Sequence, residues 1–325
     1  TNDINLNGQE QNWTPIDTGS GRWVYLEGNG HTIYNMRAGV SGSSAVAGLF
    51  GLVTSKLIVK NLNFQSTMLL NQRAGVNSCS GTVYGQLSVS GSAYLYNVHA
   101  REGYVHGNQN YAGGLMGYTY SYSAFIKKCS TEDYYVRGAS HVGGLSGVFR
   151  SYTNSNDTVY SGAFPSVPEA FMNNTITLGA MAEDCYSIDS EVFSVSAGTA
   201  ADSGGMFSCV AGTVIRNCYT NNVMYGDEQT GAFVGRIMAG RESGINYSGY
   251  YYDDNFTLSV NSYFENCYTS GVVEGNKKIG GFAGYIAGGN AYNGQINGGN
   301  VVFKNCYSTA MVGMDYAGTD LGGFV

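Results

Sequence analysis

Apolar and polar positions follow one phrase that returns along this chain. Its clearest form is Val214-Ile215-Arg216-Asn217-Cys218-Tyr219-Thr220, repeated as Tyr263-Phe264-Glu265-Asn266-Cys267-Tyr268-Thr269 and Val302-Phe303-Lys304-Asn305-Cys306-Tyr307-Ser308. Looser copies centre on Met36, Leu62, Val98, Cys129 and Cys185. With that central residue as position 0, position −3 is apolar throughout (Ile33, Val59, Leu95, Ile126, Ala182, Ile215, Phe264, Phe303). Position −2 is mostly charged (Lys60, Lys127, Glu183, Arg216, Glu265, Lys304), so it faces water. Positions −3 and 0 are an odd number apart, and a straight strand, whose side chains alternate between faces, cannot bury both. The strand must bend between them. Position −1 is the bend. It holds Asn35, Asn61, Asn97, Asn217, Asn266 and Asn305, with Lys128 and Asp184 as exceptions. After Gly, Asn best tolerates left-handed backbone angles, and its amide bonds locally. The Asn amides are therefore expected to stack turn over turn.

Each copy is partnered by a glycine phrase, such as Gly113-Gly114-Leu115-Met116-Gly117 or Gly280-Gly281-Phe282-Ala283-Gly284. This phrase carries a second apolar column: Leu49, Val83, Leu115, Leu145, Met206, Phe233, Phe282 and Phe324. Val105, Val136 and Val273 mark a third. Repeats of roughly 20–50 residues mean a solenoid or an array. The prediction is an all-β parallel β-helix solenoid of about eight to nine coils, three short strands per coil, with inserted loops on one edge. Coils about 4.8 Å apart make a rod on the order of 40 Å long. Residues 1–325 read as one β-helix domain with an N-terminal coil region over 1–46. Leu321-Gly322-Gly323-Phe324-Val325 opens a glycine phrase without its partner, which predicts a fragment of a longer protein.

Composition narrows the picture. Only 12% of the 325 residues are charged, with 48 Gly and 3 Pro, which suits many tight turns and argues against disorder. A net charge of −7 argues against nucleic acid as a partner. No apolar run is long enough to span a bilayer as a helix. Of the seven cysteines, Cys129, Cys185, Cys218, Cys267 and Cys306 occupy position 0, while Cys79 and Cys209 lie near the glycine phrase. In an inward column Cys interchanges with Leu62 and Val98 as a small hydrophobe, so these thiols are expected to be buried and reduced. There is no CxxC pair for zinc, and nothing in the sequence calls for a cofactor.

Several stretches carry a resemblance. Asp3-Ile4-Asn5-Leu6, Trp13-Thr14-Pro15-Ile16, Gly28-Asn29-Gly30-His31-Thr32-Ile33, Ala47-Gly48-Leu49-Phe50-Gly51 and Ile58-Val59-Lys60-Asn61-Leu62 follow in order. The series resembles the GLUG-motif repeat proteins of bacterial cell surfaces, which are adhesin-like and also form non-catalytic regions of IgA-cleaving metallopeptidases. The resemblance implies an extracellular or cell-surface location and adhesion. The peptidase members carry His-Glu-x-x-His in a separate domain. None of His31, His99, His106 or His141 starts such a motif.

Three inserts break the period, near 148–179, 237–262 and 286–301, each between a glycine phrase and the next ladder strand. Inserts on one edge of a solenoid mark its binding face. Tyr152, Tyr160, Tyr247, Tyr250, Tyr251 and Tyr252 are the candidate ligand-binding residues, since Tyr pairs a broad apolar face with a hydroxyl. Rings filling a satellite core under the inserts are the structural alternative. Tyr118, Tyr120 and Tyr122 read as an exposed strand-face ladder, and Tyr186, Tyr219, Tyr268 and Tyr307 as a structural stack. Asp253-Asp254-Asn255 has oxygen ligands for Ca²⁺ but lacks the spaced Asp pattern of a calcium loop, so a solvated turn is expected. A polysaccharide lyase or hydrolase would need converging carboxylates. Asp157, Glu169, Arg241, Glu242, Asp253 and Asp254 lie in the inserts with no spacing that couples them. The expectation is a non-catalytic bacterial surface or secreted rod that binds a glycan or protein on a host or neighbouring cell. A stalk for another domain and a polysaccharide-processing enzyme are the alternatives.

Overall fold

The computed structural model describes residues 2–9, 12–19, 21, 23–39, 46–71, 78–107, 110–121, 123–151, 179–195, 201–239, 261–287, 291–292, 295–296, 299–313 and 319–325. Among them every element is a strand, and the strands wind into a parallel β-helix solenoid. The ladder face is built from Trp23–Glu27, the first part of Lys56–Gln65, the first part of Ser92–Gly107, Ser123–Lys127, Gly179–Glu183, Thr213–Arg216, Ser262–Glu265 and Val301–Lys304. Each is parallel to the next and in register with it. The wall opposite is an eight-stranded sheet that starts at Ile16–Thr18 and ends at Ala283–Ala287. Among the described strands one pairing departs from parallel: Ala291–Tyr292 pairs antiparallel with Gln295–Ile296, within the third insert.

The bend at position −1 is present on seven successive rungs. Asn61, Asn97, Lys128, Asp184, Asn217, Asn266 and Asn305 all have φ between 50° and 56°. The corner thus constrains backbone conformation first and residue type second, which is how Lys128 and Asp184 fit. Where Asn recurs, its amide donates to the rung before: Asn97 Nδ2 to Asn61 Oδ1 (2.9 Å), Asn266 Nδ2 to Asn217 Oδ1 (3.1 Å), Asn305 Nδ2 to Asn266 Oδ1 (3.1 Å). The −2 charges beside this column pair between rungs, as in Arg216 with Glu265 (3.5 Å) and Lys304 with Glu265 (2.6 Å).

The first coil departs from the sequence reading. Leu26 and Glu27, not Ile33 and Tyr34, stand on the ladder face opposite Val59 and Lys60. Ile33 instead pairs with Phe64, beyond the corner. Asn35 does have φ 58°, but it belongs to a second left-handed corner, shared with Ser66, Glu102, Asp133 and Asp189 at φ 52–57°. This corner divides the wall between ladder and glycine phrase, so a coil has more segments than the three expected.

The cysteines stack as predicted. The backbone N–H after each ladder Cys donates to the carbonyl of the Cys one rung earlier, for example Tyr268 to Cys218 and Tyr307 to Cys267. All seven are free; six are buried and Cys306 is half-buried. The left-handed corner also turns the −2 carbonyl over the position-0 side chain. Each ladder thiol donates to it, from 3.0 Å in Cys218 to Arg216 O to 3.4 Å in Cys306 to Lys304 O. Burial holds the Cys129 and Cys218 thiols well above the usual thiol range.

The glycine phrase serves close approach and not left-handed backbone. Gly280 and Gly281 are absent from the positive-φ set. A Cβ on Gly280 would sit 1.8 Å from Ala283 O, and one on Gly281 would sit 2.1 Å from Gly323 O on the next coil. The apolar column that follows, Leu49 to Phe282, is at most 4% exposed.

Outside the eight-stranded sheet lies a second core of Cys79, Tyr111, Tyr118, Tyr120, Val148, Cys209, Ala211 and Met238. Tyr118 and Tyr120 are therefore buried, 3% and 7% exposed, and not the exposed ladder expected from their spacing. Tyr122 lies outside the described residues.

Asn266→Ala and Asn266→Gly separate the two roles of the corner. Both lose the amide ladder, but only Ala must hold φ near +53°. The Ala variant is expected to be less stable than the Gly variant by about 1 kcal/mol in urea unfolding. Equal losses would remove the backbone argument.

Candidate functional site, a notch in the outer face

Beyond the first corner, position +1 points outward again. From the C-terminal end this column is a stack of rings: Tyr307 on Tyr268 (5.4 Å between centroids), Tyr268 on Tyr219 (5.0 Å) and Tyr219 on Tyr186 (5.2 Å), all within 17° of parallel. The next residues in register are Ser130, His99, Asn63 and Thr32. Ser130 is too small to continue the stack, and Tyr186 has no further ring partner. A cavity of about 330 Å³ opens there, lined by Thr32, Asn63, Phe64, His99, Ala100, Arg101, Ser130, Glu132 and Tyr186. Its size is at the small end of ligand sites, roughly 300–1,000 Å³.

The polar groups of the notch have fixed directions. Asn61 Nδ2 donates to Glu27 Oε1 (2.9 Å), so Asn61 Oδ1 is left to accept from Asn97 Nδ2 (2.9 Å). Asn97 Oδ1 then faces His99 Nε2 at 3.1 Å, which must be the protonated ring nitrogen. His99 Nδ1 is the acceptor, and the Ser130 hydroxyl donates to it at 2.7 Å. The chain of donors runs one way, from Ser130 on the fourth rung to a carboxylate on the first. Burial works to raise the Glu27 pKa, but the bonds from Asn61, the Asn29 N–H and Tyr25, with Lys60 nearby, outweigh it and hold Glu27 below the usual carboxylate value. Burial pushes the His99 imidazole below its ordinary value, which keeps Nδ1 bare.

The direction of the relay leaves acceptors facing the notch. Ser130 Oγ has spent its proton on His99. Asn63 Nδ2 gives one N–H to Gly30 O (2.8 Å), leaving its second N–H and Oδ1. Among the described residues the Glu132 carboxylate has no hydrogen bond or ion pair, and it lines the cavity. The charged donor is Arg101, which gives one N–H to Gln65 Oε1 (2.9 Å) and has others to offer.

A second charged cluster is sealed away from this notch. Asp202 lies 2.8 Å from Arg236 and 3.1 Å from His141 Nδ1, and none of the three is more than 1% exposed. His141 stacks on Tyr111 at 5.1 Å. Burial lowers the His141 pKa despite Asp202 beside it.

The candidate binding residues Tyr152, Tyr160, Tyr247, Tyr250, Tyr251 and Tyr252 lie outside the described residues, as do Asp157, Glu169, Arg241, Glu242, Asp253 and Asp254. The notch was missed at the level of sequence. Its signal was present as the change from Tyr186 to Ser130, His99 and Asn63 in one column. Among the described residues no group of three or more His, Cys, Asp or Glu side chains is placed to hold a metal ion. Among the described residues no helix is long and apolar enough to cross a membrane.

No family model and no curated protein matches the chain. Among solved structures, the crystal structure of a "putative immunoglobulin A1 protease" from Bacteroides ovatus is similar, with a TM-score of 0.53 and 18% identity. The match covers 94% of this chain and 76% of that one. At that identity the likeness is one of fold.

Burial depresses the pKa values of His99, His106 and His141. Their unfolded values lie near about 6.5. The unfolded chain therefore takes up protons first, and stability present above that pH is lost as pH falls toward the depressed folded values. The melting temperature is expected to drop between pH 7 and pH 5, and His99→Gln to flatten part of that drop. A melting temperature constant over this range would contradict it.

Proposed function

We propose that this chain is a non-catalytic rod of a bacterial surface, or a secreted one, that binds a glycan or protein ligand on a host or neighbouring cell. The observation that carries the reading is the notch. The outward tyrosine column is stacked ring on ring and the −2 charges pair between rungs, and here a small concave site has acceptors left over and an open aromatic face. A fold neighbour named for immunoglobulin A1 supports a setting outside the cell, where immunoglobulins are met. The GLUG-like order of phrases supports adhesion.

The same neighbour's name brings proteolysis forward as a second reading, and the Ser130–His99 pair has the hydrogen bond that a nucleophile needs. What weighs against it is the lack of an oxyanion site beside Ser130. The strand that carries Ser130 is paired in register on both edges, so its backbone N–H groups are taken up by neighbouring rungs.

The purified chain is tested on a glycan array and on immobilised host proteins, alongside an assay for product release from polysaccharides and proteins. Saturable binding without turnover is expected. Binding lost when Tyr152, Tyr160, Tyr247, Tyr250, Tyr251 and Tyr252 are changed to Ala would assign recognition to the inserts. Absence of any ligand would leave a stalk, and catalytic turnover would overturn the proposal.

A further inference from the structure

We infer that the notch is a seat for an uncharged pyranose ring, stacked on the open face of Tyr186. This rests on the binding reading above and narrows it to a ligand class. The tyrosine column supplies the geometry. Rings are spaced 5.0–5.4 Å along it from Tyr307 to Tyr186, and the column then continues with Ser130, whose side chain leaves the ring position vacant. A flat ligand with an apolar face fills that position as the next member of the stack. The C–H face of a pyranose is such a surface, and Tyr offers it a broad ring at low entropy cost.

The polar lining selects hydroxyl groups and rejects anions. Asn63 Oδ1 and the Glu132 carboxylate present acceptors, Ser130 Oγ lies on the floor at 2% exposure, and Arg101 and the second N–H of Asn63 present donors. Sugar hydroxyls donate one hydrogen bond each and also accept, so they match a mixed set of acceptors and donors. A carboxylate or sulfate has no proton to give and, although Arg101 would attract it, would also meet Glu132, with Glu102 and Asp133 on the neighbouring corner, on a chain of net charge −7. This disfavours sialylated and sulfated glycans. The one-way relay is what makes the site selective: because His99 accepts the Ser130 proton, Ser130 cannot turn it outward to meet an anion.

The test uses the whole chain and saturation-transfer NMR with methyl glycosides of glucose, galactose, mannose, N-acetylglucosamine and N-acetylgalactosamine, with sialic acid as the charged comparison. At least one neutral glycoside is expected to bind and sialic acid not to bind. Tyr186→Ala is expected to weaken the bound glycoside about tenfold and Tyr186→Phe by less than about threefold. Glu132→Gln, at a carboxylate with no hydrogen bond or ion pair among the described residues, is expected to weaken it about tenfold and keeps the test open if Tyr186→Ala does not fold. Tyr268→Ala, two rungs along the stack, leaves binding unchanged. Neutral-sugar binding that survives both Tyr186→Ala and Glu132→Gln overturns the seat while leaving the binding reading standing. Preference for sialic acid overturns it as well. If no glycoside binds but an immobilised protein does, the sugar assignment falls and the rod remains a binder; if neither binds, both fall.

Discussion

A left-handed backbone turn at one position on seven successive coils governs this structure. Position −1 holds φ near +50° on rung after rung, whether the residue is Asn61, Lys128 or Asp184. The turn allows Ile215 and Cys218, three apart, to face the same interior. It brings the −2 carbonyl over the position-0 side chain, where a thiol donates to it and a Val or Leu merely packs. It also sets the direction in which position +1 leaves the corner, and so places the outward column that carries both the tyrosine stack and the notch. Without the turn, the strand would run on with period two and the interior file, the amide ladder and the outer column would all lose their places.

The columns could be read because a solenoid brings like positions into contact and so writes one environment many times. Positions −3, 0 and the glycine-phrase apolar residue each recur with a single physical demand, and the coils obey them. The first coil was misread because two corners ask for the same thing. Asn35 satisfies a left-handed corner, and Tyr34-Asn35-Met36 imitates the phrase, but the corner is the second one, and Leu26-Glu27 holds the ladder face before it. Residue preference identified the conformation and was silent about which corner used it. Tyr118 and Tyr120 failed differently. Period-two spacing places them on the outer side of their sheet correctly, yet outer does not mean exposed where a second core covers that side.

The glycine phrase shows a third kind of gap between pattern and cause. Repeated glycines suggest unusual backbone angles, but Gly280, Gly281 and Gly284 lack them. A Cβ at Gly284 would sit 2.5 Å from Thr230 N on the coil before, and so would strike backbone between coils. What recurs is a distance of approach, and sequence records distance only as the absence of a side chain. Gly103 makes the point inside the rod. A Cβ there would lie 2.2 Å from Cζ of Tyr134, whose hydroxyl crosses the interior to reach Thr67 and Thr82 at 2.9 and 3.1 Å. A glycine in one coil is explained by a tyrosine in the next.

Repetition also explains why a site is found where it is. A surface made of translated copies satisfies itself: rings stack on rings, Lys304 meets Glu265, and one Asn amide bonds the next. Such a column has nothing left for a ligand. A column that changes residue breaks this self-satisfaction, and the change from Tyr186 to Ser130 does so twice over, freeing a ring face and creating space. The relay from Ser130 through His99, Asn97 and Asn61 to Glu27 then keeps that break ordered, because its last acceptor is a carboxylate that fixes every donor before it. The amide ladder that serves as scaffold in the later coils is, in the first three, the means by which one hydroxyl is oriented.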